Sequence, residues 1–235
     1  MIAADPNLAK VELIAQALGP LKDELVFVGG CAAGLLITDP AAAPVRLTYD
    51  IDLVAEVAAL QGYHQIEKRF SQLGFVRDLS RVAPICRWRY RDLVVDLMPS
   101  DERILGFANR WYPLAMKTAV TFTLPPGTAI RLVAAPVFIA TKFEAFADRG
   151  REDVLESHDV EDIINVIDGR PELAAEVERM ESELRQYLQS RCASLLALPH
   201  FRNTLPGMIA AGDTSQERAA IVAARLERIA SIGRP

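Results

Sequence analysis

Apolar residues recur at helical spacing near the start of the chain. Leu8, Val11, Ile14 and Leu18 share one face, Asp5-Pro6 opens the segment and Gly19-Pro20 closes it. The pattern then changes to a continuous apolar run, Leu25-Val26-Phe27-Val28, ended by Gly29-Gly30. That predicts a buried strand breaking into a tight turn, with a short helix over 31–37. Residues 38–44, rich in Ala and Pro, read as a loop, and 49–54 as a second strand. A helix over 60–73 ending at Gly74 follows. Segments 75–82 and 85–97 read as antiparallel strands with a tight turn at Arg91-Asp92. Further strand-like segments, 112–123 and 130–133, flank a turn at Pro125-Pro126-Gly127.

From Pro136 the period is helical. Phe138, Ile139, Phe143 and Phe146 make a stripe ending near Gly150, and Ser157 caps a second helix carrying Asp159 and Asp162 on one face. Residues 171–194 read as one long charged helix and 195–212 as irregular. Thr214-Ser-Gln-Glu217 is a capping box opening a last helix to about Ile232. The expected architecture is α/β, with a mixed sheet over residues 1–135 and a helical region over 136–235.

Three acids stand out against this pattern. Two positions apart on one strand, Asp50 and Asp52 project from the same face and repel each other unless a cation joins them. A third, Asp96, sits in the apolar run Leu93-Val-Val-Asp-Leu-Met, where an unpartnered acid is costly to bury. Hard oxygen donors of this kind suit Mg²⁺ or Mn²⁺. Gly29 and Gly30, followed by the start of a helix, would offer backbone amides to a phosphate.

Glycines at a strand end, an Asp-aliphatic-Asp strand and a lone Asp on a later strand together resemble the polymerase-beta-like nucleotidyltransferase superfamily. The segment Lys142-Phe-Glu-Ala-Phe-Ala-Asp-Arg149, followed by Asp159-Val-Glu-Asp162, is similar to the AbiEii/MenT-like nucleotidyltransferases, many of them toxins of toxin–antitoxin pairs. The resemblance spans about residues 24–168. It implies a nucleotidyltransferase fold and transfer of a nucleoside monophosphate from an NTP to an acceptor hydroxyl, a tRNA 3′ end or a protein side chain. Asp50, Asp52 and Asp96 would be the metal-binding and catalytic acids, with Asp96 as general base. Gly29, Gly30 and Lys142 would bind the nucleotide, with Asp159 or Asp162 orienting Lys142. It further implies a possible cognate antitoxin. Where many relatives have serine, this chain has Gly30. Two alternatives stand beside it: modification of a small molecule such as an antibiotic, and a nucleotide-binding module without turnover.

Composition narrows the setting. Across 235 residues, 51% are hydrophobic and 24% charged, as in ordinary globular proteins, and no run reaches the length of a membrane span. The start of the chain carries no basic, apolar signal pattern. Three scattered cysteines argue for a reducing cytoplasm, and three scattered histidines show no zinc spacing. The net charge of −5 gives no overall attraction to nucleic acid. Locally, Lys68, Arg69, Arg77, Arg81, Arg87, Arg89 and Arg91 outnumber Glu67 and Asp78. In Arg87-Trp-Arg-Tyr-Arg91 the alternation predicts three guanidinium groups on one face and two aromatic rings on the other, a candidate landing site for an RNA acceptor with Trp88 or Tyr90 stacking on a base.

Overall fold

A computed structural model describes residues 5–125, 127–149, 154–209 and 215–233. The turn expected at Pro125-Pro126-Gly127, the helix end near Gly150 and the capping box from Thr214 each involve a residue outside that set.

Chain contacts divide the molecule into two compact units. The first comprises residues 6–35 and 46–134 and holds helix α1 (Leu8–Leu18), strands β1 (Leu25–Val28) and β2 (Asp50–Ala55), helix α2 (Leu60–Gln72), and strands β3 (Val76–Arg77), β4 (Arg87–Tyr90) and β5 (Leu93–Pro99). It continues through helices α3 (Glu102–Leu105) and α4 (Tyr112–Thr118) to strands β6 (Val120–Thr123) and β7 (Ala129–Leu132). The strands form one seven-stranded mixed sheet in the order β3-β4-β5-β2-β1-β7-β6, with β2 parallel to β5, β1 parallel to β7 and the other pairs antiparallel. The core of this unit is built from the apolar positions of the central strands. Leu25, Val26, Phe27, Ile51, Leu53, Val95 and Leu97 are all buried. Helix α2 covers part of it: Phe70 packs against Trp88 and Phe75 at ring separations of 5.5 and 4.7 Å, and Tyr63 donates its hydroxyl to the Leu97 carbonyl at 2.7 Å.

The second unit, residues 36–45 and the chain from Ala135, is helical: α5 (Ala135–Asp148), α6 (His158–Gly169), α7 (Leu173–Glu178), α8 (Ser182–Ala197), α9 (Phe201–Met208) and α10 (Ser215–Ala230). The Ser157 hydroxyl caps α6 by accepting from the Val160 amide. Residues 38 and 39 are stitched to the end of α6, both amides donating to the Gly169 carbonyl at 2.9 Å. Arg218 adds a second tie, donating Nε to both Asp168 oxygens at 2.8 Å and Nη2 to Asp39 at 3.0 Å.

Several local expectations change. The segment after Gly29 is two short 3₁₀ turns, Gly30–Ala32 and Gly34–Leu36, in place of a helix over 31–37. Residues 112–118 are helical, with Pro113 in the first turn, where a missing N–H costs nothing. The charged stretch 171–194 is broken into α7 and α8 at residues 179–181, and α9 occupies part of the region expected to be irregular, with Pro206 in its last turn. The first helix starts two residues later than Asp5-Pro6 suggests, with Asn7 at its N-cap; the Asn7 side chain accepts from the Thr48 amide at 2.8 Å and donates to the Arg46 carbonyl at 3.0 Å.

Candidate active site

Those Asn7 bonds set up the site. Together with Lys10, whose Nζ donates to the Thr48 carbonyl at 2.7 Å, they hold residues 46–48 against α1 and fix where β2 begins. Strand alternation then puts Asp50 and Asp52 on one face, half-exposed, while Ile51 and Leu53 are buried on the other. The parallel β2–β5 ladder pairs Asp52 with Asp96, and the antiparallel β1–β2 ladder pairs Val28 with Asp52. One row across the sheet therefore brings the third acid beside the second. Each of Asp50, Asp52 and Asp96 has a carboxylate oxygen within 4.8 Å of the others.

Immediately after Val28 comes Gly29, with φ 68° and ψ −171°, a backbone conformation that side-chain-bearing residues rarely adopt. A β-carbon there would stand 1.8 Å from Asp52 Oδ2. The backbone at Gly29 is thus packed directly on the acidic cluster, which only glycine permits. Gly30 is buried at the start of the following turn.

Three carboxylates this close, with oxygen donors only, fit a hard divalent cation such as Mg²⁺ or Mn²⁺. One feature of the cluster was not expected. Arg87, opposite Asp96 in the β4–β5 ladder, donates Nε to Oδ1 at 2.9 Å and Nη2 to Oδ2 at 2.7 Å, a bidentate pair. Its Nη2 also stands 3.8 Å from Asp50 Oδ2. The Asp96 hydrogen bonds raise the Arg87 guanidinium further above its ordinary range.

That arrangement corrects the expected RNA face. Arg87 lies on the acidic cluster, Arg89 donates to Asp78 at 2.9 Å and Arg77 pairs with Glu67. Trp88 is 3% exposed, wedged between Phe70 and the Arg77 guanidinium, and is not available to stack on a base. Tyr90 packs on Phe75 at 4.8 Å, and Arg91 lies over its ring.

In the helical unit, Lys142 is buried and paired with both candidate aspartates, 3.2 Å from Asp159 Oδ1 and 2.7 Å from Asp162 Oδ2. Arg149 reaches Asp159 Oδ2 at 2.9 Å. Among the described residues, Lys142 and Arg149 thus face Asp159 and Asp162 there.

No family model matches the chain, and no curated protein does. Among solved structures it is similar to an antigenic nucleotidyltransferase-like protein from Paracoccidioides brasiliensis, with a TM-score of 0.51 and 24% identity over 88% of this chain and 93% of that one. It also aligns with JHP933 from Helicobacter pylori, with a TM-score of 0.47 and 13% identity over 98% of this chain and 94% of that one. The first of these likenesses establishes the architecture: a mixed seven-stranded sheet with many helices, in a nucleotidyltransferase-like fold.

Proposed function

We propose that this chain is a divalent-cation-dependent nucleotidyltransferase that moves a nucleoside monophosphate from an NTP to an acceptor hydroxyl. One observation supports this above the rest: Asp50, Asp52 and Asp96 meet within 4.8 Å beside a glycine that tolerates no side chain, on a sheet of nucleotidyltransferase-like topology.

Asp50, Asp52 and Asp96 would hold the cation. Bound there, Mg²⁺ or Mn²⁺ would polarise the α-phosphate and favour the deprotonated form of the acceptor hydroxyl. The chain supplies the rest. Backbone amides at Gly29 and Gly30 hold the β- and γ-phosphates, a task for which Gly30 brings no hydroxyl. The acceptor oxygen attacks the α-phosphorus, the bond to the β-phosphate oxygen breaks, and pyrophosphate leaves. Asp96 takes the hydroxyl proton as general base. Lys142, oriented by Asp159 and Asp162, is assigned to the nucleotide phosphates on the strength of the family resemblance.

The same resemblance to AbiEii/MenT-like enzymes points to a tRNA 3′ end or a protein as acceptor and a cognate antitoxin as partner, and the scattered cysteines point to the cytoplasm as the place of work. Of the three arginines, Arg91 remains for an RNA acceptor, Arg87 being engaged at Asp96 and Arg89 at Asp78. Among the described residues no helix is long and apolar enough to cross a membrane.

The test is incubation with each labelled NTP, Mg²⁺ or Mn²⁺ and total tRNA. Label on RNA supports the reading in full. Label on protein keeps the chemistry and changes the acceptor, and label only on a small hydroxyl compound assigns the chain to antibiotic-type modification. NTP binding without transfer to any acceptor would refute the enzyme.

A further inference from the structure

Arg87 and a divalent cation compete for the same oxygens. The guanidinium engages both oxygens of Asp96 at 2.7 and 2.9 Å and approaches Asp50 at 3.8 Å, so it bridges the first and third carboxylates of the cluster. A magnesium ion on those carboxylates would sit about 2.0–2.1 Å from its oxygens. Cation and guanidinium would then be on the order of 4 Å apart, with two positive charges on one carboxylate.

Charge arithmetic separates two states. Three carboxylates and Arg87 leave the cluster at −2, which one divalent ion balances. A second ion would make it +2 unless an anion arrives, and a triphosphate is such an anion. Only the side chain need move for Asp96 to be released. The β4 backbone stays tied to β5 through the Arg87–Tyr90 ladder and the Leu97 amide on the Cys86 carbonyl at 2.9 Å, while the Arg87 side chain is 28% exposed and has solvent to turn into.

We propose that Arg87 is an internal competitor at the metal site, which keeps Asp96 from divalent cations until nucleotide phosphates arrive and Arg87 turns away. Resting on the metal-dependent reading above, the proposal gives Arg87 control over how many cations the chain holds before its substrate binds.

Mn²⁺ binding to the full chain, followed at low ionic strength by the electron paramagnetic signal of free Mn²⁺ and without nucleotide, tests it. Arg87→Met is expected to bind Mn²⁺ at least tenfold more tightly than the parent. Arg87→Gln, which keeps a neutral donor of shorter reach, should show the same gain and serves if the methionine variant does not fold. The gain should vanish when Asp96→Asn is added. Equal or weaker binding in both variants overturns the proposal while leaving the metal site standing. So does a gain that survives Asp96→Asn. Absence of Mn²⁺ binding in parent and variants alike would remove the metal site itself, and the proposal with it.

Discussion

Gly29 lies so close to Asp52 that a β-carbon on it would stand 1.8 Å from Oδ2 and 2.6 Å from Cγ. The turn and the second acid therefore constrain each other. Gly29→Ala forces alanine into φ 68°, at about 1–3 kcal/mol, and drives the Asp52 carboxylate out of the cluster. The expected outcome is a lowered melting temperature and loss of Mn²⁺ binding. Adding Asp52→Ala to Gly29→Ala should recover part of the stability and none of the binding. Melting curves and Mn²⁺ titrations of the four proteins in that cycle separate strain from lost ligation.

The three acids are expected to behave alike in activity and differently in stability. Replacing Asp50, Asp52 or Asp96 by alanine should abolish nucleotidyl transfer. Asp50→Ala and Asp52→Ala remove like-charge repulsion and should leave the melting temperature unchanged or raised. Asp96→Ala instead strips Arg87 of its bidentate partner, so a loss of about 1–2 kcal/mol is expected. Thermal melts alongside a transfer assay would reveal the split, and equal stability losses at all three positions would contradict it.

How much of this site the sequence disclosed depends on how local each piece is. Alternation alone placed Asp50 and Asp52 on one face, and an acid in an apolar run marked Asp96. That Asp52 and Asp96 stand side by side depends on β2 lying parallel to β5, a pairing between segments about forty residues apart that no local pattern encodes. The Arg87–Asp96 pair was within reach. Given a two-residue turn at Arg91-Asp92, stepping back three residues from Tyr90 and forward three from Leu93 arrives at those two residues. The alternation separated Arg87 and Arg89 from Trp88 and Tyr90 but left open which face was the buried one, and Arg91, in the turn at φ 54°, breaks it by lying over the Tyr90 ring. The break between α7 and α8 carries no glycine or proline to announce it.

Lys142 offers a stability test independent of catalysis. Asp159 and Asp162 are 1% and 0% exposed, so Lys142→Met leaves Asp162 without that cation and Asp159 with Arg149 among the described residues. Breaking one partner out of a buried pair costs about 3–5 kcal/mol. Urea denaturation should show a loss of that order for Lys142→Met. Combining it with Asp162→Asn should restore most of the stability, since the orphaned charge goes with it. If Lys142→Met alone were neutral, the network would contribute little to the fold.

Packing at Gly169 gives a further prediction. A β-carbon there would meet three atoms of Ile37, the nearest at 2.7 Å, while the Gly169 carbonyl accepts the amides of Thr38 and Asp39. Gly169→Ala should therefore destabilise the helical unit by about 1–3 kcal/mol, as overpacking does. Ile37→Ala should relieve the clash and make the pair less damaging than the sum of its parts.

Thiol chemistry is expected to report unfolding rather than the native state. Cys31, Cys86 and Cys192 are all buried. Burial, with the nearby Asp96 carboxylate adding to it, pushes the Cys86 thiol up to about 12, and burial alone takes Cys192 to about 12. At pH 8 both are thiols and unreactive, since the thiolate is the nucleophile. The Cys31 sulfur donates to the Val28 carbonyl at 3.2 Å beneath the glycine turn. An aromatic disulfide reagent should therefore titrate none of the three in buffer, and all three once denaturant passes the unfolding midpoint. Fast labelling of Cys31 or Cys86 in buffer would mean that the glycine turn or the start of β4 opens on its own, leaving the rest of the sheet folded.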